Sequence, residues 1–179
     1  MTNIILLGDS NDDSVSKVLV PALKRYGGVK YVSRACIYES ISSPDFFLCD
    51  CERLPELKFS NGIILFKNSV PEQKNICIPD NFINIMETKN TRAAAMLQKI
   101  SATAMTCGSG PKDTLSIAGL ESKSAALSLQ RSLRILDGNI IEPRDFNVTF
   151  SEKRSPHQIL MVCAALLASG VDSSQGYSI

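Results

Sequence analysis

The stretch IILLGDSNDDSVSKVLVPALKRYG, residues 4–27, decides the fold class. Asn3–Leu7 reads as a short β run that stops at Gly8. Gly8–Asp13 is a turn rich in Gly, Asp, Asn and Ser. From Asp13, the residues Val15, Val18, Leu19, Ala22, Leu23 and Tyr26 recur at helical spacing, and Gly27-Gly28 closes the segment. Strand, polar loop and helix in that order predict the first unit of a sheet with helices packed on it.

Working outward, Lys30–Cys36, Phe46–Cys49, Gly62–Phe66, Asn75–Ile78 and Phe82–Met86 read as further strands. Asn90–Ile100 reads as a helix led by a polar cap. Ala104–Cys107 reads as a strand ending in the turn Gly108-Ser109-Gly110-Pro111. Thr114–Ala118, Ala125–Ile135 and Asn139–Phe150 follow, and Asp137-Gly138 is a hairpin signal. Ser155 and Pro156 make a cap and first-turn pair for a helix ending near Gly170. That helix is apolar on nearly every face, which predicts burial on all sides or a partner surface.

The bulk properties narrow the function classes. At 179 residues the chain is long enough for one sizeable core. A formal net charge of +1, with Lys and Arg scattered, gives no electrostatic ground for a nucleic-acid or anionic-membrane partner. The longest apolar run, Ile159–Ala168, is far short of the ~20 residues that cross a bilayer. The opening MTNIILLGDS is strand-like rather than signal-like, so a cytoplasmic location is expected. The cysteines at 36, 49, 51, 77, 107 and 163 are then expected as reduced, buried thiols. Cys49-Asp50-Cys51 is the only close pair, and no second pair or nearby His completes a zinc site.

Three functional readings meet at Gly8–Ser14. The first is a Gly-Asp-Ser nucleophile with Ser10 attacking, but the only His, His157, has Arg154 where a triad carboxylate would stand three residues before it. The second resembles a response-regulator receiver, with Asp12, Asp13 and Asp50 converging on Mg²⁺. Against it, the acidic pair comes late after the strand, and the hairpins over 114–150 have no counterpart in that fold.

The third reading uses the order of motifs along nearly the whole chain. The strand–loop–helix IILLGDSNDDSVSKVLVPALKRYG, the strand FFLCD ending in Asp50, FINIMETKNTRAAAML, TAMTCGSG and the helix SPHQILMVCAALLASGVD come in that order. In this the chain resembles the central, ATP-binding domain of the Mur ligases, which join amino acids to cell-wall precursors. The resemblance implies a single domain over 1–179, with a three-layer α/β sheet of the Rossmann or P-loop kind and a hairpin-rich second half. The strand–helix part is residues 1–110, the hairpins 111–154 and the closing helix 155–170. It places Gly8, Asp9, Ser10, Asn11, Asp12, Asp13 and Ser14 at the phosphate-loop position, Asp50 at a metal position, and Glu87 and Asn90 at the nucleotide-side turn.

The departures from the family pattern predict lost chemistry. A phosphate loop needs Gly for close approach, Lys for the phosphates and Ser/Thr for Mg²⁺. Aligning Gly8 with the first Gly puts Asp12 near the Lys position, with Asp9 and Asp13 beside it. Like charges ~4 Å apart cost about 1 kcal/mol in water and several-fold more in a protein-like dielectric. No His-containing stretch follows IILFKN, and no lysine stands out as a carbamate-forming metal ligand. The expectation is a catalytically degenerate domain without ATP or Mg²⁺, serving as a binding or regulatory module through self-association or a protein partner. On this register, Asp12→Lys with Asp13→Thr should raise nucleotide affinity. His157, Arg131 and Arg134 are expected to be structural or solvated.

Overall fold

The apolar run at the start of the chain becomes the middle of a sheet. In the computed structural model, which describes residues 1–179, β1 (Thr2–Leu7) leads through the polar loop into α1 (Ser16–Arg25). β2 (Val29–Val32), β3 (Ile37–Glu39), β4 (Phe46–Cys51), β5 (Gly62–Phe66) and β6 (Phe82–Glu87) follow, then α2 (Thr91–Lys99) and β7 (Met105–Gly108). The second half holds β8 (Leu115–Leu120), β9 (Ser124–Leu129), β10 (Leu133–Arg134), β11 (Ile140–Ile141), β12 (Arg144–Thr149), α3 (Pro156–Ala168) and β13 (Tyr177–Ser178).

Eleven strands form one sheet, in the order β13-β12-β9-β8-β7-β6-β5-β1-β4-β2-β3. Its centre, from β2 to β8, is parallel; β3 pairs antiparallel with β2, β9 antiparallel with β8 and β12, and β13 joins β12 in parallel. Side chains alternate across it. Ile4 and Leu6 enter the core beneath α1 and α3, whereas Ile5 and Leu7 enter a second core beneath α2. The three-layer α/β expectation holds, hairpins included.

The closing helix resolves its own ambiguity. Ile159–Ala168 are all buried within one chain, because α3 packs on β5–β8 and against α1. The separate β10–β11 hairpin closes over its end, with Leu136 N donating to Ala168 O at 3.2 Å. Only the first turn of α3, Pro156–Gln158, stays partly exposed. Its start is fixed by a capping box in which Ser155 and Gln158 bond each other's backbone N–H. No helix is long and apolar enough to cross a membrane.

Several predicted boundaries move. Lys30–Cys36 is not one strand, because Ser33 Oγ accepts from the N–H groups of Ala35 and Cys36 and turns the chain into the β2–β3 hairpin. Asn75–Ile78 is irregular, lying between Pro71 and Pro79 with Ile76 buried against the second core. Ala125–Ile135 and Asn139–Phe150 are each broken by the β10–β11 ribbon, whose turn is indeed Asp137-Gly138. Helix α1 begins at Ser16 without a side-chain cap, so Asp12, Asp13 and Ser14 are loop residues. The thiols also differ from expectation. Only Cys107 and Cys163 are buried, while Cys36 and Cys77 are exposed and Cys49 and Cys51 half-exposed.

Candidate functional site

In an open parallel sheet, ligands bind outside the carboxyl ends of the strands. Here those ends bring together the loop after β1, Asp50 on β4, the segment after β5 and Glu87 on β6. The loop after β1 is filled from within. Lys67, the first residue past β5, is completely buried, and its ammonium donates to Asp9 O at 3.0 Å, Asp12 O at 2.7 Å and Asp50 Oδ1 at 2.7 Å. Three acceptors use all three of its protons. A Cβ on Gly8 would lie 2.5 Å from Lys67 Cβ, so the glycine is what lets the lysine pass beneath the loop.

The loop's carboxylates are also engaged within the chain. Asp12 accepts from Ser69 Oγ at 2.6 Å and from Ser14 N at 3.0 Å. Burial pushes its carboxyl up, but these bonds and the Lys67 charge outweigh it and hold the group below the ordinary range. Asp9 closes on Asn11, and Asp13 pairs with Lys17 at 3.5 Å on the surface. At Asp50 burial wins: the carboxyl is raised although Lys67 pulls it down.

Asn68, next in sequence, joins a second cluster. Its Nδ2 donates to Glu87 Oε2, and His157 Nδ1 lies 2.9 Å from the same oxygen. A carboxylate only accepts, so Nδ1 carries the proton, and Nε2 is left buried without a partner. Lys89 adds a cation 3.3 Å from Glu87. Burial raises Glu87, but the bonds from His157 and Asn68 and the nearby positive charges prevail and hold it down to about 2. A depressed carboxylate contributes stability that is present above its ordinary value of 4.5 and is lost as pH falls from there toward 2. Urea midpoints should therefore fall more steeply with acid in the wild type than in Glu87→Gln across that window. Equal slopes would show that the cluster does not contribute to stability.

Asn90 serves structure: its Oδ1 caps α2 through Ala93 N at 3.0 Å, and its Nδ2 donates to Lys67 O at 2.9 Å. Beside Glu87, a cavity of about 530 Å³ opens at the carboxyl edge, lined by Thr88, Lys89, Gly108–Gly110 and Pro156 among others. A larger one, about 650 Å³, lies at the opposite amino edge and is lined by residues that include Arg131 and Arg134. The carboxyl-edge cavity is the candidate site, because it lies at the carboxyl ends of the strands and Glu87 and Lys89 of the second cluster line it.

The structure thus brings Asp9, Asp12 and Asp50 together around one ammonium. Asp13 stays apart, and Ser10 is not bonded to His157, whose Nδ1–H donates to Glu87. No group of three or more His, Cys, Asp or Glu side chains is placed to hold a metal ion. The residues missed in the sequence are Lys67, Asn68 and Ser69. Their signal is a polar triplet directly after the fully apolar strand GIILF.

The parallel sheet, the loop after its central strand and the buried closing helix define a Mur-ligase-like α/β domain. No family model and no curated protein matches the sequence. Among solved structures, MurF from Acinetobacter baumannii superposes with a TM-score of 0.57 at 11% identity, over 96% of this chain and 43% of that one. A UDP-N-acetylmuramoyl-L-alanyl-D-glutamate–2,6-diaminopimelate ligase gives 0.55 at 8% identity, over 95% and 43%. MurF ligase from Thermotoga maritima, solved in complex with ADP, gives 0.51 at 13% identity, over 93% and 44%. At such identities the likeness is one of fold, and the chain spans less than half the length of each.

Proposed function

We propose that this chain is a Mur-ligase-like domain that acts as a binding or regulatory module and does not run nucleotide-dependent ligation. The observation that carries this reading is the buried Lys67 ammonium under the first loop. A phosphate-binding loop turns N–H groups and a lysine toward an anion. This loop turns two carbonyls inward to a cation that the chain itself supplies, beside the carboxylates of Asp9 and Asp12. A Mg²⁺–triphosphate would have to displace Lys67 from Asp50 and then meet those carboxylates. The residues present do not fit that group. The partner side of the proposal is supported by the sheet edge at β3, a strand paired with β2 on one side only, near which Ile37 is 76% and Ile41 49% exposed.

Calorimetry with ATP–Mg²⁺ tests the reading, and no binding in the micromolar range is expected. Micromolar binding abolished by Asp50→Ala would overturn it in favour of an ATP- and Mg²⁺-dependent ligase-like enzyme, or another metal-dependent enzyme built on Asp50.

A further inference from the structure

β4 sends its side chains alternately to the two faces of the sheet. Phe46, Leu48 and Asp50 are buried, while Phe47, Cys49 and Cys51 share the other, half-exposed face. Cys49 and Cys51 border the second core together with Leu54 and Leu57 from the coil that follows β4. Phe59 of that coil rests on Phe47 at 6.1 Å between ring centres, and Gln73 pins it by accepting from Leu54 N at 3.1 Å. The two thiols therefore sit side by side at the margin of an apolar wall, open to solvent on one side.

Their spacing decides what they can do. Residues i and i+2 of an extended strand are about 6.6–6.8 Å apart, with their Cβ atoms pointing the same way. A disulfide needs Cβ atoms roughly 3.5–4.5 Å apart, so direct oxidation would require the strand to bend. β4 is held against bending by β1 on one side and β2 on the other. A metal ion at about 2.3 Å from each sulfur lets the sulfurs stand roughly 4.6 Å apart, within reach of side-chain rotation. Asp50 cannot join them, since its carboxylate is on the opposite face and bonded to Lys67. No third His, Cys, Asp or Glu completes a cluster. Zinc, which takes four ligands, is poorly served by two thiolates, whereas thiolate ligands suit Cu(I). Both thiol protons leave to solvent as the metal binds.

We propose that Cys49 and Cys51 form a two-coordinate site for a soft monovalent cation, Cu(I). The test is an anaerobic titration of the reduced full chain with Cu(I) against a chromogenic Cu(I) chelator. It uses a Cys36→Ser/Cys77→Ser background that removes the other exposed thiols. One equivalent should be retained, Cys49→Ser or Cys51→Ser should each weaken retention at least tenfold, and Zn(II) should show no thiol-dependent binding. Peptide mass analysis after alkylation needs no variant at the site: Cu(I) loading should protect Cys49 and Cys51 together. The proposal is overturned if alkylation of both proceeds unchanged in the loaded protein, or if either serine variant retains Cu(I) like its parent. Zn(II) binding with the same cysteine dependence, or ready formation of a Cys49–Cys51 disulfide under mild oxidant, would overturn it as well.

Discussion

Lys67→Met should lower the free energy of unfolding by about 3–5 kcal/mol, the usual cost of removing one partner from a buried ion pair. Methionine keeps most of the side-chain length, so the aliphatic stem that passes beneath Gly8 stays filled. What is lost is the ammonium. Asp50 would then be a buried carboxylate with only the long 3.5 Å contact from Tyr31, and the carbonyls of Asp9 and Asp12 would lose their donor. A neutral partner should rescue much of this, so Lys67→Met/Asp50→Asn should be markedly more stable than Lys67→Met alone. A urea double-mutant cycle reads the coupling directly. If Lys67→Met unfolds within about 1 kcal/mol of the wild type, the pair does not hold the loop shut.

The contrast between what could and could not be read from the sequence has a physical basis. Strand β5, and β1 from Ile4 to Leu7, announced themselves because they are buried on two faces and so consist of uninterrupted apolar residues. Helix α3 announced itself through its cap, its proline and its all-apolar face. Turns built from serine hydroxyls, such as Ser33, lack the Gly or Pro that marks a break, and so Lys30–Cys36 read as one strand running through the turn after β2. β13 is two residues long and pairs only because β12 is already in place.

The site divides in the same way. The loop Gly8–Ser14 and the strand-end Asp50 were legible as local patterns of polar residues at the ends of apolar runs. Lys67 was not, since a lysine after a strand ordinarily reads as solvated, and its acceptors Asp9 and Asp12 lie 58 and 55 residues away. The same holds for His157. Searching three residues upstream found Arg154 and no carboxylate, yet Glu87 supplies one from a strand 70 positions earlier in the chain. Charge repulsion around the loop was inferred from the carboxylates alone, and the fold answers it with an internal cation.

That cation changes what loop repair should do. Asp12→Lys with Asp13→Thr, judged from sequence alone, restores the phosphate-binding lysine. In the folded chain the new ammonium would stand beside Lys67, and two such charges ~4 Å apart repel by about 4 kcal/mol at an effective dielectric near 20. The substitution also removes the carboxylate that accepts from Ser69 and Ser14. The double variant should therefore be destabilised by several kcal/mol and bind no ATP–Mg²⁺. Adding Lys67→Ser removes the competing charge, leaves Asp50 a new cationic neighbour and frees the carbonyl-lined space under Gly8. The triple variant should regain stability relative to the double, and measurable nucleotide binding should appear only there. Paired urea unfolding and calorimetry on both variants distinguish the cases. Nucleotide binding by the double variant with Lys67 intact would show that the lysine does not block the loop, and the plug would have to be abandoned as the reason for its silence.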